Sequence, residues 1–347
     1  MSAVSVSVVE KMSDSSESPT AVPPTEWGDD LPPVQPPSAG FIIQLFVVPA
    51  LIVLAVIGVW ALFGRLAAGE TDWRGLVQDL ESANPHVYKR AMFGLAQLLD
   101  NDRRLGEKGQ HLAGNSEIGT ALAKRLNAML DAAKQDDDIV SFEVYLTRAI
   151  GLLDQPDATF PALQRALDNR YEVEVRKGAV TSIALISSRA VVIAPEVESQ
   201  ATEAIVGLSQ ESEPTLRRAA AFTMGLLPNR SEGPAAAERT QRLTVMLNDA
   251  DWMSSVNAAI SLSRWKSTAG YPVFLKACQT PVDASSPEAV QDDLTVLRNV
   301  LRAIGELASQ WDESQRKELR TAVKGLAEHH NEQRIRIDAE STLAALQ

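Results

Sequence analysis

Four stretches of the chain share one spacing of apolar positions: an apolar residue, an alanine four residues later, and a second apolar residue four after that. They are Val87, Ala91 and Leu95; Val175, Ala179 and Ile183; Leu216, Ala220 and Met224; and Ile335, Ala339 and Leu343. This spacing keeps all three side chains on one face of an α-helix. An Asn or Glu stands three residues before the first apolar position in each copy (Asn84, Glu172, Glu213, Glu332), and three copies carry an arginine directly after it (Arg176, Arg217, Arg336). A helix with one narrow apolar stripe cannot bury it alone, so recurring copies stack and share a continuous core. The pattern predicts an all-α fold, elongated as a solenoid, in which a binding surface is expected ahead of an enclosed active site.

The four stretches read as second helices of helix pairs: 86–99, 173–186, 213–227 and 333–346. First helices precede them, beginning near Leu76, Pro161, Glu198 and Glu318. Weaker copies occupy 141–153, 251–265 and 294–308; in the middle one Ala258 and Leu262 keep the register, but Ser254 replaces the first apolar residue. At roughly 40 residues for a repeat of this type, the chain from residue 64 onward holds about seven pairs.

Before the repeats the pattern changes twice. Residues 1–40 are rich in Ser, Pro and acids and have few apolar groups, so they are expected to stay disordered. Residues 41–63 carry no charge, and only Gln44 is strongly polar. As a helix this run extends roughly 34 Å against a hydrocarbon core of about 30 Å, which predicts a transmembrane helix containing Pro49. A cleavable signal peptide is the competing reading, because small residues follow at 66–69. Its apolar region would be shorter and closely preceded by positive charge, whereas no Lys or Arg occurs between Lys11 and Arg65. Arg65 and Arg74 follow the span, which by the positive-inside rule places the repeat body in the cytoplasm and the tail outside.

Composition adjusts this picture modestly. Aromatics make up 5% of the 347 residues and hydrophobics 45%, a balance that suits closely packed helices rich in Ala, Leu and Val. The formal net charge of −12 divides into −5 for the first 40 residues and −7 for the rest, which disfavours nucleic acid as a partner. The single cysteine, Cys278, excludes an internal disulfide and a cysteine zinc cluster.

The sequence of acid, two residues, Val, Arg, two residues and Ala, then a small and apolar run, resembles the HEAT repeat family, including the short variety of phycobilisome lyases. The resemblance covers about residues 75–347, good in four copies and degenerate in three. It implies a right-handed α-solenoid of about seven HEAT-like pairs. It also implies a ladder between neighbouring repeats formed by the acids and arginines, here Glu172, Arg176, Glu213, Arg217, Glu332 and Arg336; the first copy departs with Tyr88 in the arginine slot. Some members act as bilin lyases or as their subunits.

Candidate chemistry is sparse. GQHLAGNS at 109–116 has the glycines of a phosphate loop but Asn115 where a lysine is needed, and no strand precedes it. His329 and His330 are adjacent, so on a helix they point about 100° apart and do not share a metal as an i, i+4 pair would. His86 and His111 lack a nearby His or Cys partner, and Asp136, Asp137 and Asp138 suit the start of a helix, where the dipole favours carboxylates. No catalytic, cofactor-binding or metal residues are assigned, and no small-molecule substrate is expected.

The remaining candidate is a surface. Taking about 100° per residue from the first apolar position, offsets 2 and 6 lie opposite the core stripe. They are Lys89 and Phe93, Lys177 and Thr181, Arg218 and Phe222, and Ile337 and Ser341. Lys89, Phe93, Lys177, Arg218 and Phe222 form a candidate stripe for an acidic, partly apolar peptide or helix of a partner protein, and reversing the three cations is expected to leave folding unchanged. The alternative is a solvated face whose phenylalanines pack on neighbouring helices. The function expected is a single-pass, membrane-anchored scaffold with a cytoplasmic solenoid and no enzymatic activity. The alternatives are a bilin-lyase-like enzyme or its chaperone subunit, and a structural envelope protein with the repeats outside.

Overall fold

A computed structural model describes residues 38–67, 72–132, 137–189, 191–228, 233–280 and 287–347. The chain divides into two compact units, Met1–Gly69 and Glu70–Gln347. Residues 1–37 of the predicted tail lie outside the described residues, as do Asp136 and residues 68–71.

Among the described residues the first unit contains one helix, α1 (Ala39–Ala67), longer at both ends than the apolar run that predicts it. Ser38 begins it, its carbonyl and hydroxyl accepting from the Phe41 amide. Within α1, Ile43–Leu62 is 20 residues long and apolar enough to cross a membrane, and none of it is buried. Pro49 lies inside the helix.

The second unit holds fourteen further α-helices among the described residues: α2 (Trp73–Leu80), α3 (Pro85–Leu105), α4 (Ser116–Leu130), α5 (Asp137–Ile150), α6 (Pro156–Arg165), α7 (Val173–Ser187), α8 (Pro195–Leu208), α9 (Pro214–Met224), α10 (Pro234–Met246), α11 (Trp252–Arg264), α12 (Tyr271–Gln279), α13 (Pro287–Glu306), α14 (Glu313–His329) and α15 (Gln333–Ala345). Six begin with proline, whose missing N–H costs nothing at a helix start. Even-numbered helices pack on one another from α2 to α10 and again from α12 to α14, and odd-numbered helices pack in unbroken succession from α3 to α15. Two layers joined pair by pair make an α-solenoid.

The repeated register is the core. Ten of its twelve residues are buried, and Val87 and Leu343 are partly covered. In α11, Ser254 takes the first position and is also buried, its amide and hydroxyl both bonded to Asp251 at 2.8 Å. The residue three before the register is the helix N-cap: Asn84 accepts from the His86 amide, Glu213 from Thr215, and Asp251 from Ser254. Glu172 and Glu332 hold the same place without a side-chain cap bond.

The arginine ladder exists with different acids. Arg176 reaches Glu211 at 2.5 Å, and Arg217 reaches Asp249 at 2.9 Å, each acid lying in the turn that follows the next first helix. Glu213 is occupied as a cap instead. Arg336, in α15, donates to the carbonyls of His330 and Asn331.

A second ladder has a sequence signal that the register alone does not bring out. Seven residues after the first register position stands a buried hydroxyl in four odd-numbered helices: Ser182, Thr223, Ser261 and Thr342. Each donates to a carbonyl of the preceding odd-numbered helix: Thr147 at 2.7 Å, Val180 at 3.4 Å, Ala221 at 2.8 Å and Leu301 at 3.0 Å. Close approach also dictates glycine beside this ladder. A Cβ on Gly178 would sit 2.4 Å from the Thr147 hydroxyl, and one on Gly225 would sit 2.8 Å from the Ser261 backbone.

The apolar core forms two clusters that meet at α11, whose Ala258 and Leu262 face one and whose Val256 and Ala259 face the other. The division coincides with the interruption between α10 and α12. Below the interruption, α8 and α10 are joined through a buried ion pair. Arg239 donates to Glu198 at 3.1 Å, to the Thr202 hydroxyl at 2.6 Å and to the Pro228 carbonyl at 2.5 Å.

Candidate functional site

The outward face of the odd-numbered helices carries the stripe. Phe93 and Phe222 are exposed, and so is Ile337 in the last repeat. The cations beside them are engaged within the chain. Lys89 meets Asp138 at 2.6 Å and lies 3.8 Å from the centre of the Phe142 ring, while Phe93 packs against Tyr145 with ring centres 4.4 Å apart. Lys177 approaches Glu174 at 3.4 Å on its own helix, an exposed pair. Arg218 grips Asp251 through two bonds of 2.8 and 2.6 Å. Its guanidinium is the main reason the Asp251 carboxyl is held down to about 2, and the bonds from Ser254 add to the effect.

Where the sequence leads to an expectation of neutral reversal, these pairs lead to an expected stability cost at Lys89 and Arg218 and little at Lys177. Glutamate at 89 or 218 would set two carboxylates together, because the sequence register shows where a side chain points but not which acid of the next repeat meets it.

The register extends to helices that the sequence leaves unaligned. In α13 the buried residues Val300 and Ile304 continue from Val296, so offsets 2 and 6 are Arg298 and Arg302. In α5 they continue from Phe142 as Leu146 and Ile150, which puts exposed Arg148 at offset 6. In α11 the equivalent residues are Val256, buried, and Ile260, partly covered, so the stripe is interrupted there. Arg264, at the end of α11, bridges this gap by extending over the Phe222 ring, 5.1 Å from its centre. Arg298 pairs with Asp338 at 2.7 Å.

Between α13 and α15 the face opens into a groove of about 590 Å³, lined by Arg298, Arg302, Gly305, Glu306, Asp338 and Ser341 among others. The sequence stripe omits this groove because Arg298 and Arg302 lie in a degenerate copy with no alanine at the central register position.

The GQHLAGNS segment is a loop anchored on Asp102, whose buried carboxylate accepts from the amides of Gln110 and Leu112, the latter at 2.7 Å. Those are the donors a phosphate would need. Gly109 lies so close that a Cβ there would be 2.6 Å from the Asp102 carbonyl, and His111 turns the loop with φ of 55°. His330 caps α14 and its Nδ1 accepts from the Glu332 amide at 3.1 Å. Among the described residues no three His, Cys, Asp or Glu side chains converge as metal ligands. Burial in α12 pushes the Cys278 thiol up to about 12.

No family model matches the chain, and no curated protein matches it significantly. Among solved structures it is similar to an archaeal HEAT-like repeats protein from Thermococcus onnurineus NA1, at 13% identity and a TM-score of 0.42 over 80% of this chain and 98% of the other. It is also similar to the complex of CpcE and CpcF of phycocyanin lyase from Nostoc sp., at 15% identity and a TM-score of 0.43 over 80% and 96%. A designed armadillo repeat protein in complex with the peptide (KR)4 gives 17% identity and a TM-score of 0.40 over 80% and 100%. With TM-scores this low, the description of this chain as an α-solenoid rests on its own two helix layers.

Proposed function

We propose that the protein is a single-pass, membrane-anchored scaffold that uses a right-handed, HEAT-like solenoid to hold a partner protein at the membrane, and that it acts by binding and not by catalysis. The observation that carries the proposal is the outward face of the odd-numbered helices, where exposed Phe93 and Phe222 stand among the cations Lys89, Lys177 and Arg218. An exposed aromatic beside a cation offers a partner apolar area and an ionic contact together. The apolar, unburied span of α1 supports the anchor, and Arg65 and Arg74 after it support a cytoplasmic body.

Affinity capture from solubilised membranes tests the scaffold, with Phe93→Ala/Phe222→Ala as the comparison because these truncations leave every ion pair in place. A partner lost with the double variant supports the reading; a wild-type protein that retains no specific partner removes it. Protease added to intact cells tests the topology. The body is expected to stay protected until the membrane is opened, and its digestion in intact cells would move the repeats outside.

A further inference from the structure

We propose that the repeat body contains a hinge between the α10–α11 pair and the α12–α13 pair, at which the even-numbered layer opens and closes while the odd-numbered layer stays in contact. The hinge goes beyond the scaffold reading and does not depend on it. Both layers lose their cross-links at this junction. In the even-numbered layer, α8 and α10 are held by Arg239 on Glu198 and Thr202 and by Arg242 on the Ser209 hydroxyl at 2.6 Å. Tyr271 joins α12 to α14 through Glu318 at 2.9 Å. Among the described residues no hydrogen bond or ion pair joins α10 to α12, and the succession of packed even-numbered helices breaks between them. In the odd-numbered layer, Ser261 ties α11 to α9 and Thr342 ties α15 to α13. The same offset in α13 is Ala303, a buried methyl group, so no ladder bond joins α13 to α11. The cluster these two helices share, with Val256 and Ala259 from α11 and Val300 and Ile304 from α13, is apolar. The α3–α5 junction also lacks the hydroxyl, with Ala149 at that offset, but there Lys89 meets Asp138, Arg103 meets Asp154, and α2 packs on α4.

The fold also supplies the pin. A Cβ on Gly270 would sit 2.8 Å from the Ala259 Cβ, so the start of α12 lies directly on α11, and Lys266 turns the chain between the two helices with φ of 60°. The start of α12 is thereby fixed while its side toward α10 has no bonded partner among the described residues. Bending about this point asks apolar side chains to slide between α11 and α13. Sliding is favoured over rupture of a ladder bond, because apolar contact has no preferred direction whereas a buried carbonyl that loses its donor stays unsatisfied. The core is already divided here, and Leu247, partly buried, packs against both clusters. Phe222 in α9 and Ile337 in α15 lie on opposite sides of the hinge, so bending alters the spacing of exposed apolar side chains along the outward face.

The test is double electron–electron resonance on the full-length protein in detergent micelles, with nitroxides on pairs of exposed positions in a Cys278→Ala background. Gln200→Cys/Lys317→Cys spans α8 to α14 across the junction. Thr120→Cys/Gln241→Cys spans as many even-numbered helices, α4 to α10, without crossing it. The distance distribution of the first pair is expected to be about twice as wide as that of the second or wider, since hinge motion adds to the spread of label rotamers in that pair only. Equal widths overturn the proposal: both narrow means a rigid body, and both broad means bending spread along the whole stack. A third pair, Gln241→Cys/Gln279→Cys, flanks the junction directly on α10 and α12 and is expected to carry the same broadening. Broadening in the α8–α14 pair that is absent from the α10–α12 pair would move the motion to another junction and overturn the assignment. No partner takes part in these measurements, so failure of the scaffold reading leaves their outcome intact.

Discussion

The central repeats, α7 to α11, and the C-terminal repeats, α12 to α15, use arginine in different ways. In the centre, Arg176, Arg217 and Arg218 each find an acid in the following repeat, at Glu211, Asp249 and Asp251, and Arg239 is buried against Glu198. In the C-terminal repeats Arg298 also finds an acid in the following repeat, at Asp338, whereas Arg302 donates to Asn299 of its own helix and Arg336 to carbonyls of its own loop. The difference follows from position in a stack. An arginine on the outward or lower edge of one helix is neutralised only if the next repeat presents a carboxylate at that level. The same residue type is thus a staple at some levels of the stack, Arg298 included, and a local contact at others.

The sharpest way to break this comparison is to remove the buried staple. Arg239→Ala is expected to cost about 3 to 5 kcal/mol in urea unfolding, because Glu198 would be left charged and buried without its guanidinium. Arg239→Met with Glu198→Leu is expected to recover most of that loss. A single variant as stable as the wild type would show that the central pair is not a staple.

Packing gives the next largest effect and distinguishes middle from end. Ala220→Phe is expected to destabilise the solenoid by about 1 to 3 kcal/mol through overpacking. Ala339→Phe should cost less although Ala339 is equally buried, because α15 has a neighbour on one side only. Equal losses by thermal melting would indicate a core that does not slacken toward its end.

Acid titration probes the Arg218 pair. The Asp251 carboxyl is held to about 2 in the folded chain, below its ordinary value near 3.9, so the stabilisation is fully present above about pH 4 and is lost as pH falls through about 2. Solvent screening reduces the contribution to about 1 kcal/mol. Asp251→Asn is expected to flatten the stability profile in that window, and an unchanged slope would place the linkage elsewhere. The smallest effect belongs to Lys177→Glu, whose exposed pair with Glu174 contributes little; its melting temperature should match the wild type, while Arg218→Glu should melt lower.

Much of the fold was legible before any coordinates. Ala91, Ala179, Ala220 and Ala339 are each fully buried at the centre of their register, since a spacing of four is enforced by helix geometry whatever the neighbours are. The N-cap place of Asn84 and Glu213 follows from the same count. The hydroxyls of Ser182, Thr223, Ser261 and Thr342 recur at a constant offset and were equally available, but a serine or threonine inside a helix does not reveal which carbonyl it will meet. The candidate site was legible by direction and not by contact. Lys89 and Arg218 point away from the core as their offsets require, yet Asp138 and Asp251 meet them from the next repeat.

The sequence by itself determined that the repeats are helical, that their helices are paired and stacked, and that one long apolar helix precedes them in the chain, because these depend on periodicity and length within a few turns of chain. Only the tertiary structure decided which acid answers which arginine, where the core divides at α11, and why Arg264 and Arg302 form no ion pair among the described residues. Those outcomes depend on side chains brought together from far apart in the chain, 32 residues for Arg217 and Asp249 and 41 for Arg239 and Glu198, a relation that helix-to-helix packing sets and local periodicity does not encode.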